Sequence, residues 1–527
     1  MPVIPASRTV ASLLEEMGRR FPEREALVGG GRRYTYTQLL QSVRAFAKGL
    51  LALGVRKGDK VAILMGNTPE WIIANLAICM TGGTMVAVNT WLTARELAYV
   101  LHHSDATMLI VTGRYLRYDY FRMLAELEPF ARSLPQLRKI VHVGETPYRD
   151  SIAFAAVPEV GAAVSDAVLD AAQHAIAPTD VAYLLYTSGS TSTPKGVLLQ
   201  HYGLIENMFH IGERMHVTED DRLWLAVSLF WGLGCENALF NLLTHGGCIV
   251  LQESFEAGEA LRVIQDERCT LFYGTPNMGQ ALADHPDRSK CDLSSLRSGG
   301  TIGTPEQLMR LVDLGAREIC NIYGLTETYG NCCVTDADEP LEARLSTVGT
   351  PLPGFELRIV DATTGRICGP REVGDIRVKG YVTPEYYKDE EKTRDAFDDD
   401  GFFRTGDRGY IDDSGRLVFQ GRSKEMIKTG GINVAPIEVE ETLMRHPAVM
   451  AAYVVGIPDV KDDELVAAVI VTRHGHAVDA DALTRHCRQG MASYKVPKAF
   501  RFVREAELPL TTTGKLQKNR LADLFKV

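Results

Sequence analysis

Tyr186-Thr187-Ser188-Gly189-Ser190-Thr191-Ser192-Thr193-Pro194-Lys195-Gly196-Val197 is the stretch whose reading decides the rest. It follows an apolar run, Val181-Ala182-Tyr183-Leu184-Leu185, that reads as a buried strand ending in a turn. Small residues there let backbone N–H groups approach an anion closely. The hydroxyls add donors and Lys195 adds positive charge, a composition suited to the phosphates of a nucleotide. It is not a Walker A loop, because Pro194-Lys195-Gly196 stands where Gly-Lys-Ser/Thr would be required. A flexible linker would have no need of a buried strand just before it.

Outward from this stretch, strands alternate with helices. Val61–Met65, Met85–Val88, Met108–Val111 and Ile140–Val143 read as strands. Helices are predicted over Ser12–Arg20, from a Thr37 cap to Leu51, from Pro69, and over Ala94–His103. Tyr34–Thr37 reads as a short strand, and Ser151–Pro178 as a connecting region. The alternation predicts an α/β fold with a largely parallel sheet covered on both faces. The uncharged run from Trp71 to Ala94 is broken by Asn75, Thr81-Gly82-Gly83-Thr84 and Asn89, so a helix, a turn and a strand fit it better than a membrane span.

Downstream, Leu271–Pro276, Leu296–Thr301 and Ile319–Thr328 repeat the pattern of a strand followed by a Gly-rich turn. Such turns are where an open α/β sheet binds ligands. In Tyr323-Gly324-Leu325-Thr326-Glu327 a ring can stack on a base, glycine admits a close backbone, and the carboxylate suits magnesium. Trp231 and Gly232 could line a pocket. From Glu356 to Gln420 short alternating strands suggest a small β unit, in which Asp407 could take two ribose hydroxyls. A domain boundary is placed at the start of Gly421–Ile432, giving domains of residues 1–421 and 422–527.

The 527 residues exceed what one core usually organises. A hydrophobic fraction of 45% and a charged fraction of 24% are those of a globular protein. A formal net charge of −10 argues against a nucleic-acid partner. The ten cysteines show no CxxC and no metal-ligand spacing, which reads as free thiols in a reducing compartment. No long apolar segment marks the start as a secretory signal, so a cytoplasmic protein without stable membrane insertion is expected.

Taken together and in order, these motifs resemble the adenylate-forming superfamily of acyl-CoA synthetases, adenylation domains and luciferases. The resemblance implies a large N-terminal domain of parallel-sheet α/β layers with a small β-barrel unit, joined by a hinge to a small, mobile α+β C-terminal domain. It implies an enzyme that activates a carboxylic acid with ATP and Mg2+, then passes the acyl group to coenzyme A. Nucleotide contacts would come from Thr187, Ser188, Gly189, Ser190, Thr191, Lys195, Gly299, Gly300, Thr301, Asn321, Tyr323, Gly324, Asp407 and Arg422. Lys515, Thr326, Glu327 and Lys428 would be catalytic, with Glu327 holding the metal and Lys424 at the hinge. Trp231, Gly232, Leu325, Tyr329 and Gly330 would shape the acyl pocket, and Gly430-Gly431 would border the coenzyme A tunnel. Two positions depart from the family pattern: Ser192 replaces the usual loop glycine, and Trp231 stands where many members have histidine.

The abundance of glycine beside an apolar wall suggests a sizeable, mostly apolar acid. The competing readings are a ligase that loads a separate carrier protein, a luciferase-type oxygenase and a non-catalytic nucleotide-binding module. A homodimer is also left open.

Overall fold

The computed structural model describes residues 3–187, 194–429, 432–459, 463–491, 495–510 and 516–526. The chain forms two compact units. The larger comprises residues 1–303, 307–356 and 378–403, and the smaller residues 304–306, 357–377 and 404–527.

Two sheets organise the larger unit. One runs, in spatial order, Lys195–Gln200, Val181–Thr187, Thr84–Ala87, Lys60–Leu64, Ala106–Thr112, Lys139–Val143 and Ile152–Ala153. Its strands pair in parallel except for the first two, which form an antiparallel hairpin. The other places Glu318–Tyr323, Ser298–Thr301, Leu271–Tyr273, Arg222–Leu225, Cys248–Leu251 and Glu25–Gly29 side by side and parallel. Near-continuous burial along these strands matches sheets covered on both faces.

The helix Pro69–Met80 shows why the uncharged run stays inside the protein. Pro69 occupies its first turn, where no backbone donor is needed. Trp71 through Met80 are all buried, so this helix is apolar on every side because it lies within a core. The turn at Gly82, with φ of +78°, then leads into strand Thr84–Ala87, as the sequence predicted. No helix among the described residues is long and apolar enough to cross a membrane.

Two local expectations need correction. The helix predicted to be capped by Thr37 spans Tyr36–Ala52 and is capped by Thr35, whose hydroxyl accepts from the Gln38 N–H while Gln38 answers through its side chain. Thr35 wins because only it has Gln three positions on to complete the reciprocal box. The segment read as a connection contains a helix, Asp166–His174, capped by Ser165. Its signal was weak because Leu169 is its only buried residue.

The smaller unit holds most of a four-stranded sheet, Glu356–Val360, Gly374–Lys379, Phe403–Ile411 and Leu417–Arg422. It also holds an α+β lobe built on the long hairpin Val449–Asp459 and Asp463–Thr472. Helices Pro436–Met444 and Ala480–Gly490 contribute Val439, Leu443, Leu483 and Cys487 to the core of that lobe. All ten cysteines are free and eight are buried. Burial pushes the Cys248 thiol up to about 12, so it packs as a neutral side chain.

Candidate active site

The hairpin that brackets the phosphate-loop candidate is in register, Tyr186 opposite Gly196 and Thr187 opposite Lys195. Ser188, Gly189, Ser190 and Thr191 lie outside the described residues. What the structure shows is how the loop's two ends are held. The Tyr387 N–H donates to the Gly196 carbonyl at 2.8 Å, and the Thr383 hydroxyl donates to the Leu198 carbonyl at 2.8 Å. A Cβ on Gly196 would stand 2.8 Å from a Leu184 methyl and 3.2 Å from the Tyr387 Cβ, so glycine lets the crossing segment seat.

That crossing segment also grips the Tyr323–Thr328 turn. The Thr383 N–H donates to the Glu327 carbonyl at 2.7 Å, and the Tyr386 hydroxyl donates to Glu327 Oε1 at 2.8 Å. Lys195 Nζ sits 4.8 Å from the centroid of the Tyr386 ring. The loop-end cation and the Glu327 carboxylate are thus joined through one tyrosine. Burial and then the Glu327 charge raise the Tyr386 phenol far above its ordinary value, so it is a donor at neutral pH. Thr383, Tyr386 and Tyr387 were not found from the sequence. The adjacent tyrosines were the only available signal, and their partners lie far away along the chain.

The Tyr323 turn is closed from within. The Thr328 hydroxyl accepts from the Leu325 N–H at 2.9 Å, which leaves Thr326 and Glu327 at the half-exposed lip. Gly324 is required because a Cβ would come within 2.0 Å of the Gly330 carbonyl oxygen. Tyr329 adopts a left-handed φ of 53° and is fully buried. Its hydroxyl accepts from the Gln200 N–H at 2.8 Å, and its carbonyl accepts from Asn207 at 3.1 Å and Asn237 at 3.2 Å. Tyr329 therefore acts as an inward post for the turn, with Gly330 packed on Asn237.

The expected turn at Gly299-Gly300-Thr301 is a buried strand, Ser298–Thr301. Gly299, at φ +145°, lies so close to its neighbour that a Cβ would reach 1.8 Å from the Phe272 carbonyl oxygen. Sheet packing accounts for the space both glycines leave, and the strand gives way to irregular backbone only at Ile302. Asn321 points its amide inward, donating to the Thr347 carbonyl at 2.9 Å, and Tyr323 is buried at the end of its strand.

Of the residues expected to shape the acyl pocket, Trp231 packs edge-on against Trp91 and Phe230, with centroids 5.3 Å away in each case. Trp231, Gly232 and Leu325 are half-exposed. In the smaller unit, Asp407 pairs in register with Arg422, whose Nε lies 3.4 Å from Asp407 Oδ1. The Thr405 hydroxyl accepts from the Asp407 N–H at 3.1 Å and holds that corner. Gly430, Gly431 and Lys515 lie outside the described residues, and of Lys424 and Lys428 only the backbone is described.

Comparison with known proteins places this geometry in a family. The model of the AMP-binding enzyme matches residues 14–387, and that of the AMP-binding enzyme C-terminal domain matches 438–515. The chain is 34% identical to the acyl-CoA ligase SID4 of Ajellomyces capsulatus, over 98% of this chain and 91% of that one. It is 32% identical to the mitochondrial medium-chain acyl-CoA ligase ACSF2 of Danio rerio, over 98% and 88%. Among solved structures, the anthranilate CoA ligase AuaEII in complex with anthranoyl-AMP aligns with a TM-score of 0.87 at 28% identity, covering 99% of this chain and 98% of that one. Matching along both parts of its length, this chain belongs to the AMP-binding enzyme family, among the adenylate-forming acyl-CoA synthetases.

Proposed function

We propose that the chain joins a sizeable, mostly apolar carboxylic acid to coenzyme A through an acyl-adenylate, with the residues above in the following roles. A carboxylate oxygen attacks the α-phosphorus of ATP. The bond to the bridging oxygen breaks, and its electron pair leaves with pyrophosphate. The coenzyme A thiolate then attacks the acyl carbon, and the carbon–oxygen bond to AMP breaks. No general base is needed in the first step, because the nucleophile is already ionised. The barrier is the approach of two anions, which fixed cations and donors lower.

Thr187, Ser188, Gly189, Ser190, Thr191 and Lys195 orient the terminal phosphates, and Thr326 donates to the α-phosphate. Gly299, Gly300, Thr301, Asn321, Tyr323 and Gly324 border the adenine side. Asp407 accepts from the ribose hydroxyls beside Arg422. Lys515 bridges the carboxylate and the α-phosphate. The boundary at residues 421 and 422 is the hinge, with Lys424 as its pivot. Movement about it replaces Lys515 with the segment Lys424–Gly431 for the thiol step, where Lys428 assists and Gly430-Gly431 leave room for the pantetheine arm.

Glu327 fits a magnesium ion by donor chemistry, being a hard, half-exposed carboxylate with one oxygen steadied by Tyr386. When bound, the ion neutralises phosphate charge. The aromatic wall of Trp91, Phe230 and Trp231 supports an apolar acid. The same reading carries a cytoplasmic location, compatibility with a homodimer and, as the alternative acceptor, a separate carrier protein.

The observation that carries this reading is the junction in which Tyr386 links the Lys195 end of the loop to Glu327. Its test divides the two steps. Lys515→Ala is expected to abolish acid-dependent ATP–pyrophosphate exchange, whereas Lys428→Ala retains exchange and slows thioester formation. Equal loss of exchange in both variants contradicts the assignment. A phosphopantetheine carrier outperforming free coenzyme A would move the acceptor to the carrier.

A further inference from the structure

Among the described residues of the larger unit, Glu236 is a charged side chain for which both carboxyl oxygens are buried without a partner. It sits in a π-helical turn, Leu233–Ala238, that begins directly after Trp231-Gly232. Such widened turns often accompany functional sites. The residue has no solvent exposure, and neither carboxyl oxygen has a hydrogen-bond partner among the described residues. A buried polar side chain left this way costs the fold stability. Among the described residues no cation is paired with it: its electrostatic neighbours are Glu327, Cys235, Tyr183, Tyr273 and Tyr329. Burial, and then the Glu327 charge, push the Glu236 carboxyl far above the ordinary carboxylate range. A carboxyl enclosed in this way, with neither oxygen partnered among the described residues, offers hydrogen-bonding capacity that the protein around it leaves unused.

Its position is set by Gly232. A Cβ on that half-exposed glycine would lie 2.5 Å from Glu236 Oε1 and 3.0 Å from its Cδ. The missing side chain leaves the carboxyl directly beneath the surface that Trp231 and Gly232 present. Glu236 thus lies against the glycine that follows Trp231, and its neighbour Asn237 donates to the Tyr329 carbonyl of the turn that carries Glu327, so it borders the place where the acyl chain lies if the site is read as above.

We propose that Glu236 reads the acyl chain: the acid this enzyme prefers carries a hydroxyl or carbonyl group that completes the hydrogen bonds Glu236 lacks. This rests on the ligase reading and refines it, from a plain hydrocarbon acid to an oxygenated, otherwise apolar one. A neutral oxygen substituent fits better than an ammonium group, whose charge would have to leave water for a site with no solvent exposure.

The test compares octanoate with hydroxy- and oxo-octanoates whose substituent is moved along the chain, scored by kcat/KM in ATP–pyrophosphate exchange. For the wild type, at least one oxygenated acid is expected to exceed octanoate by about tenfold or more. Glu236→Leu should bring that ratio to within about twofold, and Glu236→Gln, which keeps a donor and an acceptor, should restore most of it. A wild-type preference for octanoate over the whole series overturns the proposal, and so does a ratio unmoved in Glu236→Leu. Should Glu236→Leu not fold, the wild-type series and Glu236→Gln decide alone. A preference for amino-octanoates over every oxygenated member also overturns it. Absence of exchange with every acid defeats the ligase reading itself, whereas exchange with an unmoved ratio defeats only the role of Glu236.

Discussion

In the smaller unit, the carboxylate of Glu440 accepts from the Val454 N–H at 2.9 Å and lies 3.3 Å from Lys518 Nζ, which also reaches Glu425 at 3.2 Å. In the larger unit, Glu236 is more fully enclosed than Glu440 and has no such neighbour among the described residues. Burial raises both carboxyls, but Lys518 opposes the rise at Glu440, whereas Glu327 adds to it at Glu236. The first arrangement is complete in the protein alone. The second is complete only when something else arrives. Position within the fold, more than residue type, therefore decides whether a buried acid is a strut or a reader.

The sharpest way to break this contrast is to remove one partner. Lys518→Met strands Glu440 and Glu425 and should destabilise the protein at neutral pH by about 4 kcal/mol. Chemical denaturation followed by circular dichroism measures it, and a loss under about 1 kcal/mol would mean the cluster is too solvated to act as a strut. A third buried group, His201, lies between the two cases. Its Nδ1 accepts from the Val10 N–H at 3.3 Å, while Nε2 has no partner among the described residues. Burial lowers its pKa from 6.5 to about 4. The unfolded chain therefore takes up the proton first, so stability falls as pH drops through 6.5 and levels off near 4, a loss of about 3 kcal/mol. Denaturation midpoints for His201→Gln should show a shallower slope across that window, and an unchanged slope would remove His201 from the account. The smallest effect is expected at Glu236. Glu236→Leu deletes a buried group without partners and should raise stability by about 1 kcal/mol. A loss of several kcal/mol would make Glu236 a strut after all.

The same contrast explains what the sequence made legible. Strands such as Val61–Met65 and the turn Tyr323–Thr328 are local patterns of period and composition, and they appear where predicted. The uncharged run at Trp71 resolved correctly because Gly82-Gly83 announced its turn. What escaped is non-local. Thr383 and Tyr386 matter because they bridge Leu198 and Glu327, and no spacing rule connects those positions. Tyr329 read as a pocket wall, yet three polar contacts from distant segments turn it inward. Gly299 and Gly300 read as a turn because glycine marks turns more often than it marks strands pressed closely together. Glu236 did leave a trace, a lone acid in the apolar stretch Leu233–Leu243, but sequence cannot show that its carboxyl is without a partner.

The central claim, that the acid passes through an acyl-adenylate, is tested most directly by following an oxygen. With a heavy-oxygen-labelled carboxylic acid, ATP and coenzyme A, the attacking carboxylate oxygen becomes the bridge to the α-phosphorus and leaves with AMP when the thiol attacks. Mass spectrometry of the products is predicted to find one labelled oxygen in AMP and none in pyrophosphate. Label in inorganic phosphate together with formation of ADP, or no acid-dependent cleavage of ATP, would contradict it.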